Sequence, residues 1–374
     1  MPQSWNTCKN ILVIRPDNMG DLLMSTPAIR ALKETFGARI TVLTSSIAAG
    51  IAPHIPQIDA VITYDLPWVK VGESAPPDSL HNITQTLREG QFDAAVIFTV
   101  YSQNPAPSIL LAWLAGIPRR LAYSRENPYG LLTDWLPEEE PYTFIRHQVA
   151  RDLELVASVG AKAGNKALSL QISPNAWQQA SVVLEETGVD TQKPWLLLHA
   201  GVSEAKRAYP EEAWVTVAQK LSSEMGYQVL FTGGKSEAAL TESLAAQVGE
   251  GAFSLGGKLS LEAFMALIPK TPLLLTVNSG PAHLAAAFKT PVVVLYALTN
   301  PQHLPWQTRG KPLFYSVPRP LWSRNEVVRY VQESLQPQDV PLPSPEAVLN
   351  AVKEVISGNP GQIPELAPLR SHKS

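Results

Sequence analysis

Cysteine is nearly absent from the sequence. Cys8 is the single one in 374 residues, so no internal disulfide can form and nothing marks an oxidising compartment. An excess of either charge is missing too: 30 Lys plus Arg stand against 33 Asp plus Glu, a formal net charge of −3. Such a chain has no general field for a nucleic-acid backbone, so no nucleic-acid partner is expected and any anion must be met by a local site. No run approaches about 18 uncharged apolar residues and the first residues show no signal-peptide pattern, so neither membrane spanning nor export is expected, and the cytoplasm is the default address. No G-x-G-x-x-G follows a strand, which removes the main support for a dinucleotide oxidoreductase. The seven His and one Cys show no metal-ligand spacing, so neither metal nor cofactor is expected. A superficial P-loop at 251–259 fails because Ala252 stands where its first Gly belongs and Leu259 where Ser or Thr should hold magnesium. Asn82-Ile83-Thr84 is a formal glycosylation acceptor that, without an export signal, reads as chance.

What the chain does have is 45% apolar residues and enough length for two domains. Residues 11–14, 40–43, 61–62 and 94–98 read as short β-runs. Helical periods at 22–35, 80–89 and 105–115 lie between or after them, the pattern of βα units on a parallel sheet. A further helix is expected at 145–159, with Val149, Leu153, Val156 and Ala157 inward, and residues 160–194 read as the connection between domains. A second series follows, with strands at 195–199, 228–231, 273–277 and 292–295. Its helices are expected at 211–224, 235–248, 260–268 and 281–288. Two α/β, Rossmann-like domains facing one another are the natural expectation, with boundaries at 1–175 and 176–340. Twelve of the 33 prolines lie from Pro301 onward, so residues 341–374 are expected to add only a helix at 345–356 and a loose Pro-rich tail.

Three loops carry candidate chemistry. After the first strand, Gly20 permits a tight turn and Asp21 falls at the start of a helix, where a carboxylate can accept a proton; plain helix capping is the simpler role. The turn Asn278-Ser279-Gly280-Pro281-Ala282-His283 ends a strand and opens a helix, whose free N–H groups and dipole suit a diphosphate. Ser279 can cap or bond phosphate there, and Asn278 and His283 can bond sugar or phosphate oxygens, although His283 alone reads as a packed core residue. In the His199–Pro210 loop, Gly201 allows close backbone approach and Lys206 with Arg207 can neutralise a leaving group, or else form an ordinary solvated basic pair. Thr232-Gly233-Gly234 with Glu237 ends another strand and can contact a nucleotide. Arg119-Arg120, Arg125 and Arg146-His147 are local basic sites for an anionic acceptor, or surface ion pairs.

Taken together, Gly20-Asp21 with Thr26-Pro27-Ala28, the His199–Pro210 loop, Thr232-Gly233-Gly234 with Glu237, residues 256–261 (Gly-Gly-Lys-Leu-Ser-Leu) and the Ser279–Ala287 stretch resemble family 9 of the glycosyltransferases, the bacterial heptosyltransferases. The resemblance implies a GT-B fold, an acceptor-binding first domain and a nucleotide-sugar-binding second. It implies Asp21 as general base, with Gly20, Arg119 and Arg120 toward the acceptor. The donor, expected to be ADP-heptose, falls to Gly201, Ser203, Thr232, Gly233, Glu237, Asn278, Ser279, Gly280, Pro281 and His283, together with Lys206 or Arg207. The run 206–210 is one residue longer than the family's Lys-x-Trp-Pro, so either cation fits, and Lys206 is preferred. Asn278 replaces the family's usual Asp, and Thr299-Asn300-Pro301 the commoner Thr-Asp-Pro. The implied reaction is inverting transfer to a lipopolysaccharide core or other lipid-linked or oligosaccharide acceptor, with peripheral contact at the inner membrane. A sugar-nucleotide epimerase or hydrolase, or a non-catalytic nucleotide-sugar binder, is the alternative.

Overall fold

The computed structural model describes residues 4–69, 76, 78–358 and 361–364. It divides into two compact units, Met1–Gln171 and Ile172–Ser374. Each unit holds one six-stranded sheet, parallel throughout.

In the first unit the strands are β1 (Asn10–Ile14), β2 (Arg39–Thr44), β3 (Ala60–Thr63), β4 (Ala94–Ile97), β5 (Arg119–Ser124) and β6 (Asp134–Pro137), in the spatial order β3-β2-β1-β4-β5-β6. Ile11 to Ile14 are fully buried because β1 is central and both faces are covered by helices. The chain then enters the helix Met19–Phe36, which Gly37 ends in the left-handed region at φ 57°. Pro27 lies inside that helix and cannot donate to the carbonyl of Leu23; the Thr26 hydroxyl does so instead, at 2.7 Å. The same Thr26 oxygen accepts the Ser169 N–H at 3.0 Å, so Thr-Pro here repairs its own break and ties down the end of the unit.

The second unit repeats the topology. Its strands are β7 (Trp195–His199), β8 (Gln228–Phe231), β9 (Ala252–Ser254), β10 (Leu274–Val277), β11 (Val292–Ala297) and β12 (Gly310–Tyr315), in the order β12-β11-β10-β7-β8-β9. Counted within each unit, both sheets run 3-2-1-4-5-6, the Rossmann order, and ligands in such sheets bind outside the carboxyl ends of the strands where the order reverses. That point lies between β1 and β4 in the first unit and between β7 and β10 in the second.

Four strands were not expected. β5 opens with two arginines, β6 and β12 carry prolines, and β9 has three residues; β6, β9 and β12 lie at sheet edges, where Pro and short length are tolerated. Residues 160–194, expected as a connection, contain the helix Ala176–Thr187, which packs against the helix Leu261–Leu267 of the second unit. The helix Pro345–Ile356 stands where the sequence places it, but Val348, Leu349, Val352 and Val355 are part of the second unit's core rather than an appendage. The tail from residue 365 lies outside the described residues. No helix among the described residues is long and apolar enough to cross a membrane.

Candidate active site

At the reversal point of the first sheet, the loop after β1 meets the loop after β4. Asp21 is the third residue of the helix Met19–Phe36, with Asn18 at the N-cap, so it is not the cap itself; its Oδ2 accepts the Asn18 N–H at 3.1 Å. Its Oδ1 lies 3.3 Å from Nη2 of Arg15, which is completely buried. Arg15 also faces Asp17, 3.4 Å away, and Gln103 from the loop after β4 donates to Asp17. Burial opposes the charge on Arg15, but Asp17, Asp21 and Asp152 outweigh it and raise its pKa. The same burial raises the Asp17 carboxyl against the pull of Arg15. A buried guanidinium thus holds two carboxylates at the mouth of the sheet.

Sequence reasoning missed a second layer. The helix Gln148–Ala157 presents Arg151 and Asp152 inward along with Val149 and Leu155, while Ala157, expected inside, is exposed. Asp152 accepts the Ser25 hydroxyl at 2.7 Å and the Gln148 amide at 2.7 Å, which ties it to the helix of Asp21. Burial pushes its pKa up to about 6 despite Arg15, the Ser25 bond and Arg151. Arg151 in turn donates to Glu138 at 3.0 Å, Glu140 at 2.7 Å and the Thr99 carbonyl at 3.0 Å. Nothing in the apolar periodicity marked these polar residues as interior.

Arg119 and Arg120 are not brought to this site. They begin β5, whereas Asp21 follows the end of β1, so the two groups sit at opposite edges of one parallel sheet. Arg119 reaches Thr7 and Cys8, and Arg120 donates to the carbonyls of Ile117, Gly130 and Leu131. Arg125, just past the end of β5, is an exposed cation on the Asp21 edge, held by the carbonyls of Tyr101 and Glu140. Arg146 pairs with Glu140 and Glu154, and His147 caps the Gln148 helix by accepting from Val149 at 3.1 Å.

In the second unit the loops after β7, β8 and β10 converge at the corresponding edge. Arg207 donates to the backbone carbonyl of Asn278 at 3.2 Å, which puts its guanidinium beside the start of the helix Gly280–Phe288. Ser279 is the N-cap of that nine-residue helix but makes no side-chain capping bond, so the first-turn amides keep their positive end toward the edge. Lys206 stays with Glu204 at 3.2 Å, and Glu204 also holds Arg207 at 3.0 Å. The aromatic-Pro pair explains the loop's fixity: Tyr209 is buried edge-on against Trp214, with ring centroids 5.6 Å apart, and donates to the Pro343 carbonyl at 2.8 Å. Such an edge-to-face pair contributes about 1 kcal/mol beyond its buried area. Tyr315 fixes the Arg207 carbonyl at 2.8 Å. Counting back from Pro210, Arg207 and not Lys206 keeps the basic-x-aromatic-Pro spacing.

Glu237 organises the neighbouring loop. Its carboxylate accepts the Gly234 N–H at 2.7 Å and lies so close to Gly201 that a β-carbon there would sit 1.7 Å from it. Gly233 is likewise pressed against the Glu237 side chain. His199 bonds Thr232 at 3.2 Å, and burial lowers its pKa against the opposing charge of Glu237. Ser203 is part of the loop between β7 and the Lys206-Arg207 turn. Asn278 is turned to β11: its amide donates to the Ala297 carbonyl at 3.3 Å and to Thr299 at 3.2 Å, and accepts the Ala297 N–H at 3.3 Å. An aspartate could accept that N–H but could not donate, so the change to Asn extends the strand pairing. His283 is buried in the first helical turn after Pro281, its ring 6.4 Å from that of His303. Among the described residues no group of three His, Cys, Asp or Glu is placed to hold a metal ion.

Two sheets of Rossmann order, with a basic loop and an open helix terminus at the reversal point of the second, agree with the family resemblance. Residues 80–347 match the model of glycosyltransferase family 9 (heptosyltransferase). The chain belongs to glycosyltransferase family 9. This glycosyltransferase is 28% identical over 312 residues to lipopolysaccharide heptosyltransferase 2 of Salmonella typhimurium, covering 79% of this chain and 84% of that one. It matches the glycosyl transferase family 9 structure from Veillonella parvula with a TM-score of 0.73 at 20% identity, over 96% of this chain and 99% of that one. Against E. coli ADP-heptose lps heptosyltransferase II the TM-score is 0.70 at 20% identity, over 93% and 98%. The GT-B fold of the family is therefore shared. Asp21 lies before the stretch matched by the family model.

Proposed function

We propose that this family 9 enzyme transfers heptose from ADP-heptose to a lipopolysaccharide core or related surface-glycan acceptor by a single inverting displacement. Asp21, in the first unit, takes the proton from the acceptor hydroxyl as its oxygen attacks the anomeric carbon. The bond from that carbon to the diphosphate breaks, and the charge left on the nucleoside diphosphate is met by Arg207 and the amide end of the helix Gly280–Phe288. The Arg207 contact with Asn278 supports this most directly, because it joins the two donor-edge loops at the place where an anion would sit. Thr232, Gly233, Glu237 and Gly201 form the adjoining wall of the donor site. Arg125 is the acceptor-side cation in this reading, in place of Arg119 and Arg120.

An acceptor of this class is lipid-linked, so the enzyme would work at the inner face of the cytoplasmic membrane. Leu110, Trp113 and Leu114, on one face of the helix Ala106–Leu114 and 40–47% exposed, support peripheral contact there. The test is a panel of ADP-, GDP- and UDP-sugars with and without a heptose-deficient core acceptor. Turnover of ADP-heptose that depends on the acceptor is expected. Equal turnover without acceptor would instead favour an epimerase or hydrolase.

A further inference from the structure

The proline-rich stretch that follows β12 builds a cavity of about 630 Å³ lined by Arg319, Trp322, Arg324, Arg329, Glu333 and Gln338, among others. Three arginines face one glutamate there, in a chain whose net charge is −3. Among the described residues none of the three guanidinium groups is in an ion pair; Arg319 only approaches the Trp322 ring, at 5.8 Å. Exposed arginines ordinarily find a carboxylate or solvent, but three converging on one hollow raise the potential inside it and offer planar donor forks suited to phosphate.

The walls are built rather than incidental. Pro318 and Pro320 flank Arg319 in a short 3-10 turn, and the Trp322 indole is fixed by donating to the Val317 carbonyl at 2.8 Å. The helix Glu326–Tyr330 runs into a π-helical turn, Val331–Leu335, a rare geometry often found at functional sites. That turn is anchored beneath by Gln336, buried and bonded to the Thr299 carbonyl at 3.3 Å, while buried Gln332 keeps a carbonyl oxygen without a partner. The volume exceeds what a bare anion fills and lies in the range of small-molecule sites. Glu333 would repel a free phosphate yet accept from hydroxyls, and an indole face suits a sugar ring.

We infer that this cavity binds a phosphorylated saccharide, the phosphomonoester held by Arg324 and Arg329 and the sugar by Trp322 and Glu333. None of its lining residues is among those assigned to donor or acceptor. It is tested by titration calorimetry of the full-length protein with glucose 6-phosphate, glucose and inorganic phosphate, repeated with Arg324→Ala/Arg329→Ala and with Arg207→Ala. Glucose 6-phosphate should bind with a Kd of about 1 mM or tighter. Affinity should fall at least about tenfold in the double variant and stay unchanged in Arg207→Ala. Both arginines are exposed, so the double variant should melt as the parent does. If its melting point falls, Arg324→Lys/Arg329→Lys replaces it, and binding kept by that pair but lost with alanine supports the site. Binding of inorganic phosphate as tight as the phosphosugar overturns the saccharide assignment. Equal binding of glucose, or binding that the double variant leaves intact, overturns the site.

Discussion

At the scale of single residues, what distinguishes this site is which charges are held and which are offered. Arg207 reaches the Asn278 turn, while Lys206 remains with Glu204. Removing Arg207 should therefore cost ADP binding about 1.5–3 kcal/mol, a Kd raised roughly 10–150-fold, whereas Lys206→Ala should shift it less than about threefold by calorimetry. Asp152 carries a different consequence. Its pKa of about 6 in the folded chain stands above the unfolded value, so the folded state binds the extra proton between about pH 4 and 6. The stability this contributes is present at low pH and lost as pH rises through 6. Asp152→Asn keeps the site neutral throughout. Its stability relative to the parent, read from denaturant melts, should rise by about 2–3 kcal/mol between pH 4 and pH 7. The places of Asp21, Lys206 and Arg207, in the turns after β1 and β7, were legible from motif and position; that Arg207 rather than the preferred Lys206 reaches Asn278 was not. Arg119, Arg120, Arg151 and Asp152 were not: a charged residue reads as solvated by default, and its burial depends on partners such as Glu138 and the Ile117 carbonyl that only the folded chain brings near.

Among elements, the central strands announced themselves, whereas three of the four edge strands, and β5 beside one of them, did not. β1, β4, β7 and β10 are short and wholly apolar or nearly so, so each could be placed from sequence. β12 was hidden by Pro312 and by the surrounding prolines, which an edge strand tolerates. Its first residue shows how tightly it is nevertheless paired. Gly310 has φ 154°, and a β-carbon there would lie 1.9 Å from the Val292 carbonyl oxygen in β11, a backbone atom that cannot step aside. Gly310→Ala should destabilise the second unit by at least about 2 kcal/mol and lower its Tm by roughly 4–8 °C. Gly164→Ala, whose β-carbon meets nothing within 4 Å, is the control expected to melt as the parent does.

For the whole molecule, the repeated 3-2-1-4-5-6 sheet gives the chain two reversal points, and the proposed chemistry divides between them. The proposed base lies at one and the proposed diphosphate site at the other. Hydrogen exchange with ADP alone should slow amides in 199–207, 232–237 and 278–283 and leave 15–21 as in the free enzyme. Protection confined to the first unit would reverse the division. The near-neutral composition fits this arrangement, since Arg207 and a helix terminus supply positive potential locally, where a diphosphate would need it. The most direct measurement is the transfer rate and ADP affinity of Asp21→Asn beside the parent. Turnover should drop by about 10²–10⁴ with ADP binding unchanged. An Asp21→Asn enzyme that transfers at full rate, or one that loses ADP binding instead, would contradict Asp21 as the general base.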